Sequence, residues 1–106
     1  MHFRALALCT VMTALPAFAA GKGDAQKGKQ QFQQLCSVCH NADNAQKKVG
    51  PGLKGLFKRD RLVNGKKPTE ANVRAKIENG GNGMPAYKDM LSDREMDDLV
   101  AYLKTL

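Results

Sequence analysis

The chain has 106 residues, a formal net charge of +7, no Trp and three Cys. That length has room for one small domain and excludes a multi-domain arrangement. A domain this small buries only a thin core by itself, so a metal, a cofactor or a covalent staple is expected to complete it.

In chain order, the first segment reads as a secretory signal peptide, residues 1–19. His2 and Arg4 form a short polar start, Leu6 to Phe18 is almost wholly apolar, and Ala17-Phe18-Ala19 fits the small-x-small cleavage rule. The apolar run falls short of the ~20 residues a spanning helix needs, which disfavours a retained membrane anchor. Cys9 is read as an apolar residue of the discarded signal. Removal of residues 1–19 takes Arg4 and His2 away, leaving 16 basic residues against 10 acidic ones and a charge of +6. The remaining domain, residues 20–106, keeps two cysteines and one histidine. Both cysteines lie in one motif, so no separate structural disulfide is available.

After a polar lead-in, Asp24 is a plausible N-cap, and Ala25, Gly28, Phe32, Leu35, Cys36 and Cys39 fall on one side of a 3.6-residue wheel. This predicts a first helix from Ala25 to about Cys36, followed at once by Cys36-Ser37-Val38-Cys39-His40. Residues 41–68 carry turn signals at Gly50-Pro51-Gly52 and Asn64-Gly65, with a short apolar knot at Leu53, Leu56 and Phe57. A second helix is predicted over Glu70 to Asn79, capped by Thr69, stopped by Gly80 and turning Val73 and Ile77 inward. Residues 80–85, Gly-Gly-Asn-Gly-Met-Pro, can be neither helix nor regular strand and are predicted to be a loop. The last helix opens on a Ser92-x-x-Glu95 capping box with Leu91 placed to staple onto Met96. Met96, Leu99, Val100 and Leu103 then follow at i, i+3, i+4 and i+7. No stretch alternates as a strand would, so the chain is expected to be all-α.

The motif Cys36-x-x-Cys39-His40 is the attachment signature of a c-type haem. Two thiols about one turn apart can each add across a vinyl group of one porphyrin, and the next residue offers an imidazole to the iron. A six-coordinate iron needs a second ligand opposite His40, and no second histidine remains. The soft candidates are the thioethers of Met84, Met90 and Met96. Met96 has a role as staple and core residue, and Met90 precedes a helix and can serve as a gap-filler. Met84 lies outside any periodic face, between Gly83 and Pro85, in a loop that permits close backbone approach and stiffens the ligand position. Met84 is therefore the preferred ligand, with plugging of the core as the alternative.

These residues, with Gly50-Pro51-x-Leu53-x-Gly55-Leu56-Phe57, Gly83-Met84-Pro85 and the terminal Leu99-Val100-x-Tyr102-Leu103, resemble a class I monohaem cytochrome c of the short bacterial type. The resemblance covers essentially the whole domain, and the spacing of 44 residues from His40 to Met84 suits the short type. It implies three to five helices wrapped around one covalently attached haem c, with the N- and C-terminal helices crossing. It implies that His40 and Met84 bind the iron and that the Pro51 carbonyl accepts from the ring N–H of His40, fixing its tautomer. It implies that Leu53 and Phe57 pack on the haem. Gly28 and Phe32 would meet Leu99 and Tyr102 at the helix crossing. The family often carries a Gly-Arg after this Leu-x-Gly-Leu segment, the Arg meeting a haem propionate. Here the run is Phe57-Lys58-Arg59-Asp60-Arg61, which makes Arg59 the candidate and Arg61 the runner-up.

Iron closed on both faces leaves no site for substrate chemistry, so the expected function is electron transfer by a soluble periplasmic monomer rather than catalysis. Two other readings differ from it. One is a gas sensor or peroxidase-like enzyme in which Met84 is labile. The other is a haem-free dithiol oxidoreductase, whose motif would normally open a helix after a strand. Residues 47–67 gather Lys47, Lys48, Lys54, Lys58, Arg59, Arg61, Lys66 and Lys67 against Asp60 alone, while Asp89, Asp93, Glu95, Asp97 and Asp98 lie near the end. The basic segment is expected to dock redox partners with acidic faces. Nucleic acid is a poor candidate partner, because the chain is exported and lacks an aromatic-basic stacking pattern.

Overall fold

The computed structural model describes residues 23–106, so the signal-peptide reading of residues 1–19 lies outside the described residues. Three α-helices are present: α1, Ala25–Leu35; α2, Glu70–Asn79; and α3, Asp93–Leu103. One 3-10 turn spans Leu56–Lys58. Among the described residues there is no β-strand, only an isolated bridge between Gly81 and Met84. The fold is all-α, as the periodicity predicts.

Each helix begins where its capping residue dictates. The Asp24 side chain accepts from the backbone N–H groups of Gln26 and Lys27 at the start of α1. Thr69 accepts from Asn72 N–H at 3.1 Å to open α2. Ser92 and Glu95 exchange reciprocal bonds of 3.1 Å at the start of α3. Each cap satisfies orphan donors that the first turn would otherwise leave to solvent. At the other end of α2, Gly80 is the C-cap and its N–H donates to Lys76. The Lys76 ammonium reaches forward to the carbonyls of Gly80 and Gly81, both at 3.2 Å.

α1 and α3 pack on each other through Gly28. A Cβ added there would fall on the carbonyl oxygen of Asp98 and 2.8 Å from the Tyr102 Cβ. Only hydrogen at this position lets the two backbones meet. One turn along α1, the Phe32 ring lies 5.5 Å from that of Tyr102, tilted by 59°. Buried Asp98 accepts from the backbone N–H of Asp24 at 2.7 Å, tying the start of α1 to α3. The core formed by this crossing includes Phe32, Leu56, Val73, Ile77, Tyr87, Leu91, Met96, Leu99 and Leu103. The Leu91 and Met96 side chains expected to staple α3 are both buried in it.

α2 joins α3 by charge as well as by apolar contact. The Arg74 guanidinium pairs with Glu78 at 3.0 Å, with Asp93 at 3.3 Å and with Asp97. Lys104, just beyond α3, pairs with Glu70 at the start of α2. Much of the acidic charge of α3 is therefore engaged within the fold.

Candidate cofactor site

α1 ends by handing the chain directly to the motif. Cys36 N–H and Ser37 N–H both donate to the Phe32 carbonyl, at 2.8 and 2.9 Å. Cys39 N–H and His40 N–H then both donate to the Cys36 carbonyl, at 3.0 and 2.9 Å. The motif is thus wound into a further turn, which presents both sulfurs and the imidazole to one cavity of about 380 Å³. Leu53, Leu56, Val73, Ile77 and Leu103 provide its apolar walls, and Met84 and Tyr87 border it from the loop after α2.

The His40 ring is held from two directions. Its Nδ1 lies 2.8 Å from the Pro51 carbonyl oxygen. A carbonyl only accepts, so Nδ1 carries the proton and Nε2 is left with its lone pair free for a metal. Gly50 presses on the ring edge: an added Cβ would lie 2.9 Å from Nδ1 and 3.0 Å from Nε2. Gly50 N–H also donates to the Cys39 carbonyl at 2.7 Å, locking the Gly50-Pro51 segment onto the motif.

Burial, and secondarily the neighbouring Cys39, push the Cys36 thiol up to about 11. A dithiol oxidoreductase needs a thiol depressed toward neutrality, in an electropositive setting. The Cys36 environment runs the other way, and the motif follows a helix rather than a strand.

The three thioethers are separated by their surroundings. Met96 is 2% exposed in the core and Met90 is 59% exposed, whereas Met84 is half-buried and borders the cavity. The loop that holds Met84 is more ordered than the composition of residues 80–85 implies. Gly81 N–H donates to the Met84 carbonyl at 2.9 Å, and Met84 N–H donates back to the Gly81 carbonyl at 3.1 Å. The two residues between them, Asn82 and Gly83, have φ of 53° and 90°. Positive φ at both positions is what a type I′ turn requires, and Asn-Gly is its usual sequence.

Other expected site residues divide. Pro51, Leu53 and Arg59 line the cavity. Phe57 does not: it packs half-buried against the core, and the 3-10 turn directs its neighbour Leu56 into the cavity instead. Arg59 donates from one terminal nitrogen to the carbonyls of Gly52 at 2.6 Å and Lys54 at 2.9 Å, bracing the segment after Pro51. Arg61 is exposed. Leu56, Val73, Ile77 and Tyr87 were not expected at the site, although the inward periodicity of Val73 and Ile77 was the signal available.

The donor set fits a covalently bound iron porphyrin. Two sulfurs, an imidazole with its second nitrogen free, and a thioether converge on one apolar-walled cavity.

Comparison with known proteins finds relatives among the cytochromes c. The family described as cytochrome C oxidase, cbb3-type, subunit III matches residues 23–103. A cytochrome c6 of a Synechocystis species is 40% identical over 81 residues, covering 76% of this chain. The chain spans 63% of that relative's length. A cytochrome c6 of Leptolyngbya boryana is 36% identical over 80 residues, which cover 76% of this chain and 89% of the relative. The solved structure of cytochrome c6 from the diatom Phaeodactylum tricornutum aligns with a TM-score of 0.60 at 31% identity, covering 78% of this chain and 93% of that one.

Proposed function

Since the chain belongs to the cytochrome c family, as a class I monohaem member with one covalently bound haem c, we propose that it is a periplasmic electron carrier with His40 and Met84 as its axial ligands. Haem c supplies reversible one-electron Fe(III)/Fe(II) chemistry when bound. The observation that carries the reading is that Met84 borders the cavity of Cys36, Cys39 and His40 while Met90 and Met96 lie away from it.

Each residue then has a task. Cys36 and Cys39 would hold the porphyrin by thioether bonds. The Pro51 carbonyl, accepting from His40 Nδ1 at 2.8 Å, keeps the imidazole in one tautomer and orientation. Leu53, Leu56, Val73 and Ile77 exclude water, so the site's dielectric is low. A neutral thioether and a dry pocket both disfavour the extra positive charge of the ferric state, which raises the potential. Arg59 braces the backbone beyond Pro51, and its position in the cavity wall allows it to meet a propionate. His40 and Met84 would hold the iron between them and leave no open position for substrate, which suits a carrier rather than an enzyme.

Export through an N-terminal signal, residues 1–19, is part of the proposal and leaves residues 20–106 as the haem domain. It is supported by the polar start, apolar run and Ala17-Phe18-Ala19 of the sequence. No helix among the described residues is long and apolar enough to cross a membrane. The docking face we assign surrounds the cavity mouth. Val49 and Val63, 69% and 80% exposed, line the cavity's outer edge with Lys47. Exposed Lys48, Lys54, Lys58, Arg61, Lys66 and Lys67 belong to the same segments. Exposed valines in segments rich in cations suit a partner with an acidic rim, giving fast and salt-sensitive encounters between monomeric carrier and partner.

A potentiometric titration at neutral pH tests the ligand set. A positive midpoint potential supports His40/Met84 ligation, and a strongly negative one contradicts it.

A further inference from the structure

Tyr87 is the most heavily tied residue of the segment that follows Met84. It is 9% exposed and borders the cavity. Its backbone N–H donates to the Ile77 carbonyl at 3.0 Å, anchoring it to the last turn of α2. Its carbonyl accepts from Met90 N–H and Leu91 N–H, both at 3.0 Å, which folds the chain toward α3. Its hydroxyl donates to the Leu35 carbonyl at 3.2 Å, across 52 positions of sequence.

That last bond joins the two sides of the cavity. Leu35 is the final residue of α1 and stands immediately before Cys36. Its carbonyl is one of the four that a helix end leaves without an intrahelical partner. Among the described residues, this is the side-chain hydrogen bond that links the segment carrying Met84 to the segment carrying the cysteines and His40. The ring packs in the core whether or not the hydroxyl is present, so the hydroxyl's contribution lies in this link.

We propose that Tyr87 is a positioning residue for the axial methionine: its hydroxyl, bonded to the Leu35 carbonyl, holds the Met84 loop at a fixed distance from the haem-attachment turn and so strengthens Met84 against displacement. The proposal rests on Met84 being the ligand. Removing the hydroxyl leaves the Leu35 carbonyl unpaired beside the cavity and frees the loop to move outward when another ligand competes. A hydrogen bond of this kind contributes about 1 kcal/mol net, equivalent to about a fivefold change in the exchange equilibrium.

The test uses the periplasm-matured holoprotein in its ferric form, titrated with imidazole and followed by the loss of the far-red absorption that a thioether gives on ferric haem. Tyr87→Phe keeps the ring and removes only the hydroxyl. Its imidazole binding constant is expected to be about fivefold higher than that of the wild type. Tyr102→Phe removes a second tyrosine hydroxyl, from a ring packed on Phe32 outside the cavity, and is expected to match the wild type. Urea midpoints measured alongside verify that all three proteins are folded in the titration range. Equal imidazole binding by the wild type and Tyr87→Phe overturns the proposal, as does an equal rise in Tyr102→Phe. A wild type without the far-red band overturns the Met84 ligation on which it rests, and that failure is visible before any variant is made.

Discussion

Replacing Gly28 by alanine sets two known effects against each other at the α1–α3 crossing. In an exposed helix interior, Gly→Ala is stabilising by about 1 kcal/mol. At Gly28 the new methyl would clash with the carbonyl oxygen of Asp98, far inside van der Waals contact, and stand 2.8 Å from the Tyr102 Cβ. Both belong to helix backbone or its first side-chain carbon, so neither can swing aside as a long side chain could. The helices must separate, which loosens the Phe32–Tyr102 contact at 5.5 Å and the Asp24–Asp98 bond at 2.7 Å. Overpacking of this kind costs about 1–3 kcal/mol, and the loss of a tie to a buried carboxylate adds about 1 kcal/mol or more. Set against the propensity gain, the expected net loss is about 1–3 kcal/mol. In a domain of this size, each kcal/mol lowers the midpoint of thermal unfolding by about 4–8 °C. The assay is urea and thermal unfolding of the holoprotein, followed by helix signal and by the haem absorption. A Gly28→Ala variant as stable as the wild type, or more stable, would refute the close approach as the reason for glycine here.

Other substitutions test separate parts of the structure. Asp98→Ala leaves the Asp24 N–H without its acceptor and is expected to cost about 1–3 kcal/mol in urea unfolding, whereas Asp98→Asn keeps an acceptor oxygen and recovers most of it. Equal losses in the two variants would show that the carboxylate's charge matters rather than its bond. Met84→Ala should fold with its haem attached, lower the midpoint potential and bind CO in the reduced form; a reduced variant indifferent to CO would mean that another residue supplies the ligand. Charge reversal of Lys66 and Lys67 to Glu should slow reduction by an acidic partner at low salt and flatten the dependence of that rate on ionic strength. An unchanged salt dependence would remove these lysines from the docking face.

Much of this architecture follows rules that act within a few residues. Asp24, Thr69 and the Ser92–Glu95 pair set the starts of three helices, and Gly80 stops one of them, because capping is satisfied locally. The motif at Cys36, Cys39 and His40 is legible for the same reason: the next turn of chain places its side chains together. Side-chain direction in short or irregular segments is different. Phe57 was expected at the cavity and Leu56 occupies that wall, because one 3-10 turn has no periodicity from which to read an inward face. The Asn82-Gly83 turn was not read from the sequence, where glycine-rich residues 80–85 suggested only a loop, although the Asn-Gly dipeptide carried the signal. Tyr87 and Arg59 depend on partners that pattern does not reveal: one hydroxyl meets a carbonyl 52 positions away, and one guanidinium meets two carbonyls of a folded loop.

The visible spectrum of the protein matured in a periplasm tests the central claim most directly. It is recorded oxidised, reduced, and reduced under CO, after extraction with acid acetone has been attempted. The account predicts haem that resists extraction and a low-spin reduced spectrum that CO leaves unchanged, as expected of Cys36 and Cys39 thioethers with His40 and Met84 closing the iron. A native reduced spectrum that shifts under CO would contradict the closed ligand pair and bring ligand binding at an open iron to the front, and haem that extracts would contradict the covalent attachment itself.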